Sequence, residues 1–244
     1  MWQKACELVK PSISVIVRKS TNKDRRTTWR TIGTAFQISD YPQPTFMTCA
    51  HVLVDGHGHE NFEHAIFAAF GKTDGNARGI KITYISLELD IVIFVSDEGA
   101  RCKSIIGFSD SVLEMGTSIA AIGFPNPKKP EIYDKSGGSL HLRMRFSAGY
   151  ISSNDVAINL PQTPYTLLDL KHYEMNMFSY PGLSGAPLFD LEGNIFGMVR
   201  GTDLTKVDQV LSTATCYSYA NRSIELDGYA KTTSSMVIYP RLKN

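Results

Sequence analysis

Three residues of this chain combine the side-chain types that can turn an alcohol into a nucleophile. Ser184 lies in YPGLSGAPLFDLEGNIFGMVRG (180–201), His51 closes the apolar run TFMTCAHVL, and Asp90 stands immediately before IVIFV (91–95). A serine hydroxyl attacks a carbonyl at neutral pH only with a base within hydrogen-bond reach and a third group to orient that base. Each residue also has a plain structural reading. Ser184 suits the approach to a β-hairpin, His51 a packed core position, and Asp90 a strand edge where a backbone amide satisfies its carboxylate. In either case a desolvated aspartate needs hydrogen-bond partners. Glu88 is a less attractive alternative to Asp90, because the strand period puts both on one face.

The other titratable candidates read as structural. His57, His59 and His64 lie in or near the polar stretch DGHGHENFEH and are expected at the surface. They have no cysteine partner and sit on a loop, so they do not define a metal site. His141 falls in an expected strand and His172 beside Lys171. The cysteines Cys6, Cys49, Cys102 and Cys216 are far apart and form no CxxC. They read as free buried thiols of a reducing compartment, and neither a metal nor a cofactor is expected.

The elements that must position these residues are mostly strands. The 244 residues suffice for a core without cross-links. SISVIVRKS (12–20), TTWRTIGTAFQIS (27–39), ARGIKITYIS (78–86), LDIVIFVSD (89–97), GTSIAAIGF (116–124), LHLRMRFSAGYISS (140–153) and TPYTLLDL (163–170) are rich in β-branched and aromatic residues. Helical signals are limited to QKACELV, a turn at CAHVL, and NRSIELDGYA, while NPKKPEIYDKSGG (126–138) reads as a long loop. With 25 Lys and Arg against 24 Asp and Glu, the net charge of +1 lacks the basic footprint of a nucleic-acid binder. Arg18, Lys19, Lys23, Arg25 and Arg26 read as a solvated loop. No apolar run approaches a membrane span, and MWQKACELVKPSISVIV lacks the features of a signal peptide. The sequence therefore predicts no membrane contact and a cytoplasmic location.

Taken together, TCAHVL, LDIVIF and GLSGAPLFDLEGNIFGMV resemble, in that order, the three motifs of chymotrypsin-like (trypsin-fold) serine proteases. The nearest likeness is to bacterial HtrA-like trypsin-like peptidase domains, and GTAFQIS resembles the family strand before the histidine. The order His, Asp, Ser differs from that of α/β-hydrolases, and Ala186 breaks the lipase G-x-S-x-G pattern. The resemblance runs from about Pro11 to about Ala220 and implies an all-β fold of two six-stranded antiparallel barrels with the active site between them. Residues 1–105 would carry His51 and Asp90, and residues 106–244 would carry Ser184. It further implies Ser184 as nucleophile, His51 as base, Asp90 as the group orienting it, and the Gly182 and Ser184 N–H groups as oxyanion hole. Met177, Phe178 and Ser179 would line the base of the primary pocket, with Arg200, Gly201 and Thr202 pairing with substrate backbone.

Several positions depart from the best-known members. Leu183 replaces the aspartate that, in chymotrypsin, anchors a newly cut N-terminus, so the resemblance implies control by a regulatory partner or a conformational change. Segments 126–138 and 202–216 are the candidates to move. Val52 stands where secreted relatives carry a disulfide cysteine, which leaves Cys49 free and agrees with an intracellular protein. Phe178 replaces the aspartate of trypsin and predicts an apolar or small side chain before the scissile bond, with Arg200 either selecting an acidic side chain or facing solvent. The expected activity is endopeptidase cleavage of polypeptides. The alternatives are a catalytically silent protein-binding module of the same fold, and an esterase.

Overall fold

The first half of strand β1 (Ile13–Thr21) is buried on both faces because it serves two cores at once. Ile16 points into one hydrophobic cluster with Phe36, Phe46 and Phe94. Ile13, Val15 and Val17 point the other way, against Ala120, Ile122, Phe189 and Ile195 of the second half of the chain. Side chains alternate along a strand, so such two-sided burial erases the polar positions that would otherwise mark its period. The computed structural model describes residues 1–21, 27–40, 43–54, 64–68, 78–87, 89–96, 102, 108–124, 131–133, 142–157, 171–204 and 216–222.

The first sheet comprises β1, β2 (Thr27–Ser39), β3 (Thr45–Thr48), β4 (His64–Ala68), β5 (Arg78–Ser86) and β6 (Ile91–Ser96). The strands run in the order β1-β4-β5-β6-β3-β2, and the antiparallel pairing of β1 with β2 closes the ring. The second is a closed barrel in the order β10-β13-β12-β11-β7-β9. Its strands are β7 (Ser118–Gly123), β9 (Arg145–Ala157), β10 (Lys171–Met177), β11 (Pro187–Phe189), β12 (Ile195–Leu204) and β13 (Cys216–Arg222). Helix α1 (Trp2–Val9) buries Ala5, Cys6 and Val9 in the cluster between the two.

The expected double barrel is therefore present, with one addition. The segment read as the long loop 126–138 contains β8 (Glu131–Tyr133), which pairs with Thr27–Trp29 of β2 and makes the first sheet seven-stranded. A strand of three residues is too short to leave a pattern to read. Three further strands were not anticipated, β4, β10 and β13. In β10, Tyr173, Met175 and Met177 face the second core while Asn176 is exposed, but Lys171, His172 and Glu174 mask that alternation in the sequence. Asn221 and Arg222, expected to open a helix, end β13 instead. The remainder of NRSIELDGYA, the strand expected at 163–170, Glu88, His57, His59 and His141 lie outside the described residues. Of the segment 202–216, residues 202–204 end β12, residue 216 begins β13, and the rest lies outside them.

The two barrels meet tightly at Gly185, whose φ is +84°. A Cβ there would lie 2.1 Å from the Thr34 carbonyl oxygen and 2.2 Å from Thr48 Oγ1, so only glycine lets β2 and β3 reach the second barrel. Gly185→Ala is expected to cost about 3 kcal/mol or more, combining a left-handed backbone with a clash against main chain. Urea denaturation checks this, and a midpoint close to wild type would show that the barrels can move apart.

Candidate active site

Asp90 sits in the turn before β6 at φ +55°, the only non-glycine residue with positive φ among those described. Aspartate tolerates this region better than most residues. The turn is closed by Asp90 N–H donating to the Leu87 carbonyl at 3.1 Å. It delivers the carboxylate to the start of helix α2 (Ala50–Leu53), whose first N–H groups have no acceptor inside the helix. Ala50 N–H donates to the Asp90 carbonyl at 3.1 Å and His51 N–H to Asp90 Oδ1 at 2.9 Å. The same aspartate then takes the His51 ring, with Nδ1 2.8 Å from Oδ2.

This arrangement fixes the electrostatics. Asp90 is buried, whereas the His51 side chain is 38% exposed. Burial pushes the Asp90 carboxyl up, but the adjacent imidazole, its hydrogen bonds and the Arg200 guanidinium overcome this and hold it below its usual range. For His51, desolvation pulls downward, the charge and hydrogen bond of Asp90 push upward and win, and Arg200 subtracts from the result. The net shift is above the ordinary 6.5.

Ser184 is carried by a tight bend between β10 and β11. Within it, Leu183 N–H donates to the Tyr180 carbonyl, Gly185 N–H to Val199 and Ala186 N–H to Leu183, at 2.8–3.0 Å. The N–H groups of Gly182 and Ser184 have no such acceptor among the described residues. Gly182 takes φ +100°, and its carbonyl is turned away to accept from Thr34 Oγ1 at 2.8 Å. Thr34, on β2 of the first barrel, also donates its N–H to the Ser184 carbonyl at 3.0 Å, and its hydroxyl accepts from Phe124 N–H at 2.9 Å. Its own carbonyl accepts from Thr48 Oγ1 at 2.7 Å. Beside it, a Cβ on Gly33 would meet Val52 at 2.5 Å and the Ser184 carbonyl at 3.3 Å. The strand thus sits between the residue after His51 and the main chain of Ser184.

The structure joins Ser184 to the pair through Arg200. Ser184 Oγ donates to the Arg200 carbonyl at 3.1 Å, and Arg200 Nε donates to Asp90 Oδ2 at 3.1 Å. A hydroxyl has one proton, so in this conformation it is not offered to His51. Arg200 is 2% exposed, which corrects the expectation that it faces solvent or selects an acidic substrate. Its Nη1 lies 3.2 Å from His172 Nε2, on a histidine that is itself buried.

The pocket residues separate. Met177 is buried in the second core, Ser179 is half-buried, and Phe178 is 61% exposed with its ring 5.1 Å from that of Tyr180. Gly201 and Thr202 continue β12, opposite Tyr219 and Ser218 of β13. Leu183, at the position of the zymogen aspartate, is fully buried in the second core. Cys49, His51 and Asp90 place one ligand atom each within 4.8 Å of one another. They suit a cation poorly. Burial and the charge of Asp90 push the Cys49 thiol well up, its Sγ donates to the Val199 carbonyl at 3.3 Å, and a guanidinium already occupies Asp90.

Thr34 is the site residue that motif reading did not assign. Thr34 lies in GTAFQIS, quoted only as a family strand, while Arg200 was assigned through its backbone and its side chain was expected to face solvent or select an acidic group.

Two β-barrels with a buried aspartate gripping a histidine and a serine in a glycine bend define a class, the trypsin-fold serine hydrolases. Residues 33–198 match the family model of the trypsin-like peptidase domain, and the chain belongs to that family. The crystal structure of the Rv3671c protease from M. tuberculosis in its active form is similar, with a TM-score of 0.62 at 18% identity, covering 92% of this chain and 81% of that one. The inactive form of the Rv3671c protease gives 0.61 at 18% identity, covering 94% and 92%. At this identity the likeness speaks for the fold alone. No curated protein sequence matches the chain.

Replacing Thr34 by valine keeps its shape but strands the Gly182 carbonyl and the Phe124 N–H, each at a cost of about 1–3 kcal/mol when buried. Thr34→Val is therefore expected to lower stability by roughly 2–4 kcal/mol in urea melts, with Thr34→Ser recovering most of it. A valine variant as stable as wild type would show that the hydroxyl does not hold the bend.

Proposed function

We propose that the chain is a serine endopeptidase in which Ser184, His51 and Asp90 cleave peptide bonds of protein substrates through an acyl-enzyme. The observation that carries this reading is the two-point hold of Asp90 on His51, at 2.9 Å to the main-chain N–H and 2.8 Å to Nδ1. A histidine whose Nδ1–H is committed to a buried carboxylate keeps its lone pair on Nε2, the form a general base needs. Ser184 Oγ bonds to the scissile carbonyl carbon as its proton passes to Nε2. The C–N bond then breaks and that proton goes to the leaving amine. Water, deprotonated by the same Nε2, attacks the ester and releases the acid and the free hydroxyl. The Gly182 and Ser184 N–H groups would bind the oxyanion in both steps, each worth about 3 kcal/mol.

To reach His51, the Ser184 hydroxyl must turn away from the Arg200 carbonyl, a hydrogen bond worth about 1 kcal/mol net. With Leu183 buried where an ammonium anchor would be needed, control falls to such a rearrangement or to a protein partner, rather than to a cut N-terminus. The backbone of Arg200–Thr202 would pair with extended substrate, and the exposed Phe178 would favour apolar or small side chains before the scissile bond. In a peptide-library digest, an apolar or small preference is expected, and a dominant lysine or arginine preference would refute that assignment.

A fluorophosphonate probe is expected to label wild type at Ser184. Ser184→Ala should abolish labelling, and His51→Ala should slow it by about 10⁴-fold or more. Because Asp90 raises the His51 pKa above 6.5, the labelling rate should fall on the acid side with a midpoint above 6.5. Failure of wild type to label, with or without co-purified protein, would favour the silent binding module. Slow labelling that co-purified protein accelerates would support external control.

A further inference from the structure

Arg200 touches two members of the site in different ways. Its carbonyl accepts from Ser184 Oγ, while its side chain donates to Asp90 Oδ2, the oxygen that also receives His51 Nδ1. A buried cation is therefore wedged against the carboxylate that orients the base. It is held there from the far side by His172. An arginine has only donors, so the 3.2 Å contact between Nη1 and His172 Nε2 requires that Nε2 accept, which a protonated imidazole cannot do.

From this geometry we infer that Arg200 is a positioning residue that clamps Asp90 and keeps His51 in its neutral, base-competent form at lower pH, with His172 as the neutral brace that keeps the guanidinium in place. The inference rests on His51 being the general base. The guanidinium shares Asp90 Oδ2 with the imidazole and so offsets part of the negative charge that would otherwise favour imidazolium. The direction agrees with the opposing effects at His51, where Asp90 raises the pKa and Arg200 lowers it.

The other groups around the pair do not supply this role. Cys49, preceding α2, stays a neutral thiol because burial and Asp90 push it well up. From β10 the facing group is His172. On β13, the register positions opposite His172 and beside Arg200 hold Asn221, Ala220 and Tyr219, with no carboxylate or second cation. The arrangement has a built-in limit: a proton on His172 removes the acceptor and sets two like charges against each other, which would release the clamp.

The test reads His51 directly. In the Ser184→Ala background, the imidazole of His51 is titrated by NMR with Arg200, Arg200→Met or Arg200→Lys, and with His172→Phe. Labelling rates against pH are measured in parallel in chains that retain Ser184. Arg200→Met is expected to raise the His51 midpoint by about one pH unit, and the acid limb of labelling with it. At a pH one unit below the wild-type midpoint, this is about a fivefold to tenfold loss of rate. Arg200→Lys should restore most of the midpoint, since it keeps a cation beside Asp90, and His172→Phe should move it up by a smaller amount. Thermal melts identify which variants fold. In whichever of Arg200→Met and His172→Phe folds, an unchanged or lowered His51 midpoint overturns the inference. A raised midpoint in a protein that never labels would leave the clamp standing and remove the proteolytic reading, so the two fail separately.

Discussion

A carboxylate taken out of water must be met by donors on every side, and in this chain the donors of Asp90 come from both barrels. Its oxygens receive the main-chain and ring nitrogens of His51 from the first barrel and Nε of Arg200 from the second. Its own carbonyl takes the N–H of Ala50, so one residue also ends the unsatisfied start of α2. Leaving such a charge unpaired costs several kcal/mol, which makes correct docking of the barrels a condition for a stable Asp90 turn. The left-handed backbone at Asp90 is sustained by the same set of bonds.

The second constraint is distance across the cleft, and β2 sets it. Thr34 binds the Ser184 bend through both its N–H and its hydroxyl, while the flanking Gly33 lets Val52 come close. The strand that carries Thr34 is buried on both sides and paired with β1, β3 and β8, so it cannot shift without disturbing the whole first sheet. In the bend this strand supports, the N–H groups of Gly182 and Ser184 have no main-chain acceptor among the described residues. In most buried loops such donors would find a carbonyl.

The three side chains proposed to react were singled out in the sequence because each sits in a short pattern with its own chemical reason. A serine follows glycine in a bend, a histidine ends an apolar run, and an aspartate precedes the most apolar strand. Most strands were legible too, where β-branched residues cluster. What escaped were features defined by tertiary pairing. Strand β8 exists only because β2 offers it an edge. Strand β10 hides its alternation behind His172, whose place is set by Arg200 on another strand. Thr34 and Arg200 look like an ordinary strand threonine and a surface arginine, since nothing local tells that their partners lie about 150 and 110 residues away. Burial of an arginine is the least readable feature of all, because side-chain length and charge make exposure the default.

Leu183 offers no anchor for an ammonium, so on the proposed reading the site does without the zymogen device. In a bend anchored by an ammonium, the aspartate beside the serine must find its partner before the oxyanion donors are set. Here the corresponding residue, Leu183, is packed in the second core, and the bend is fixed by main-chain bonds and Thr34. The charge that the site does organise has moved to the other side of the serine, onto Arg200, where it acts on Asp90 rather than on the bend. On the proposed reading, assembly of the oxyanion donors would thereby be separated from tuning of the base. The first depends on apolar packing and neutral hydrogen bonds that are insensitive to pH, and the second on a buried ion pair with a histidine behind it. On the same reading, control would act on the proton of the base, or on the rotation of Ser184, without unmaking the bend.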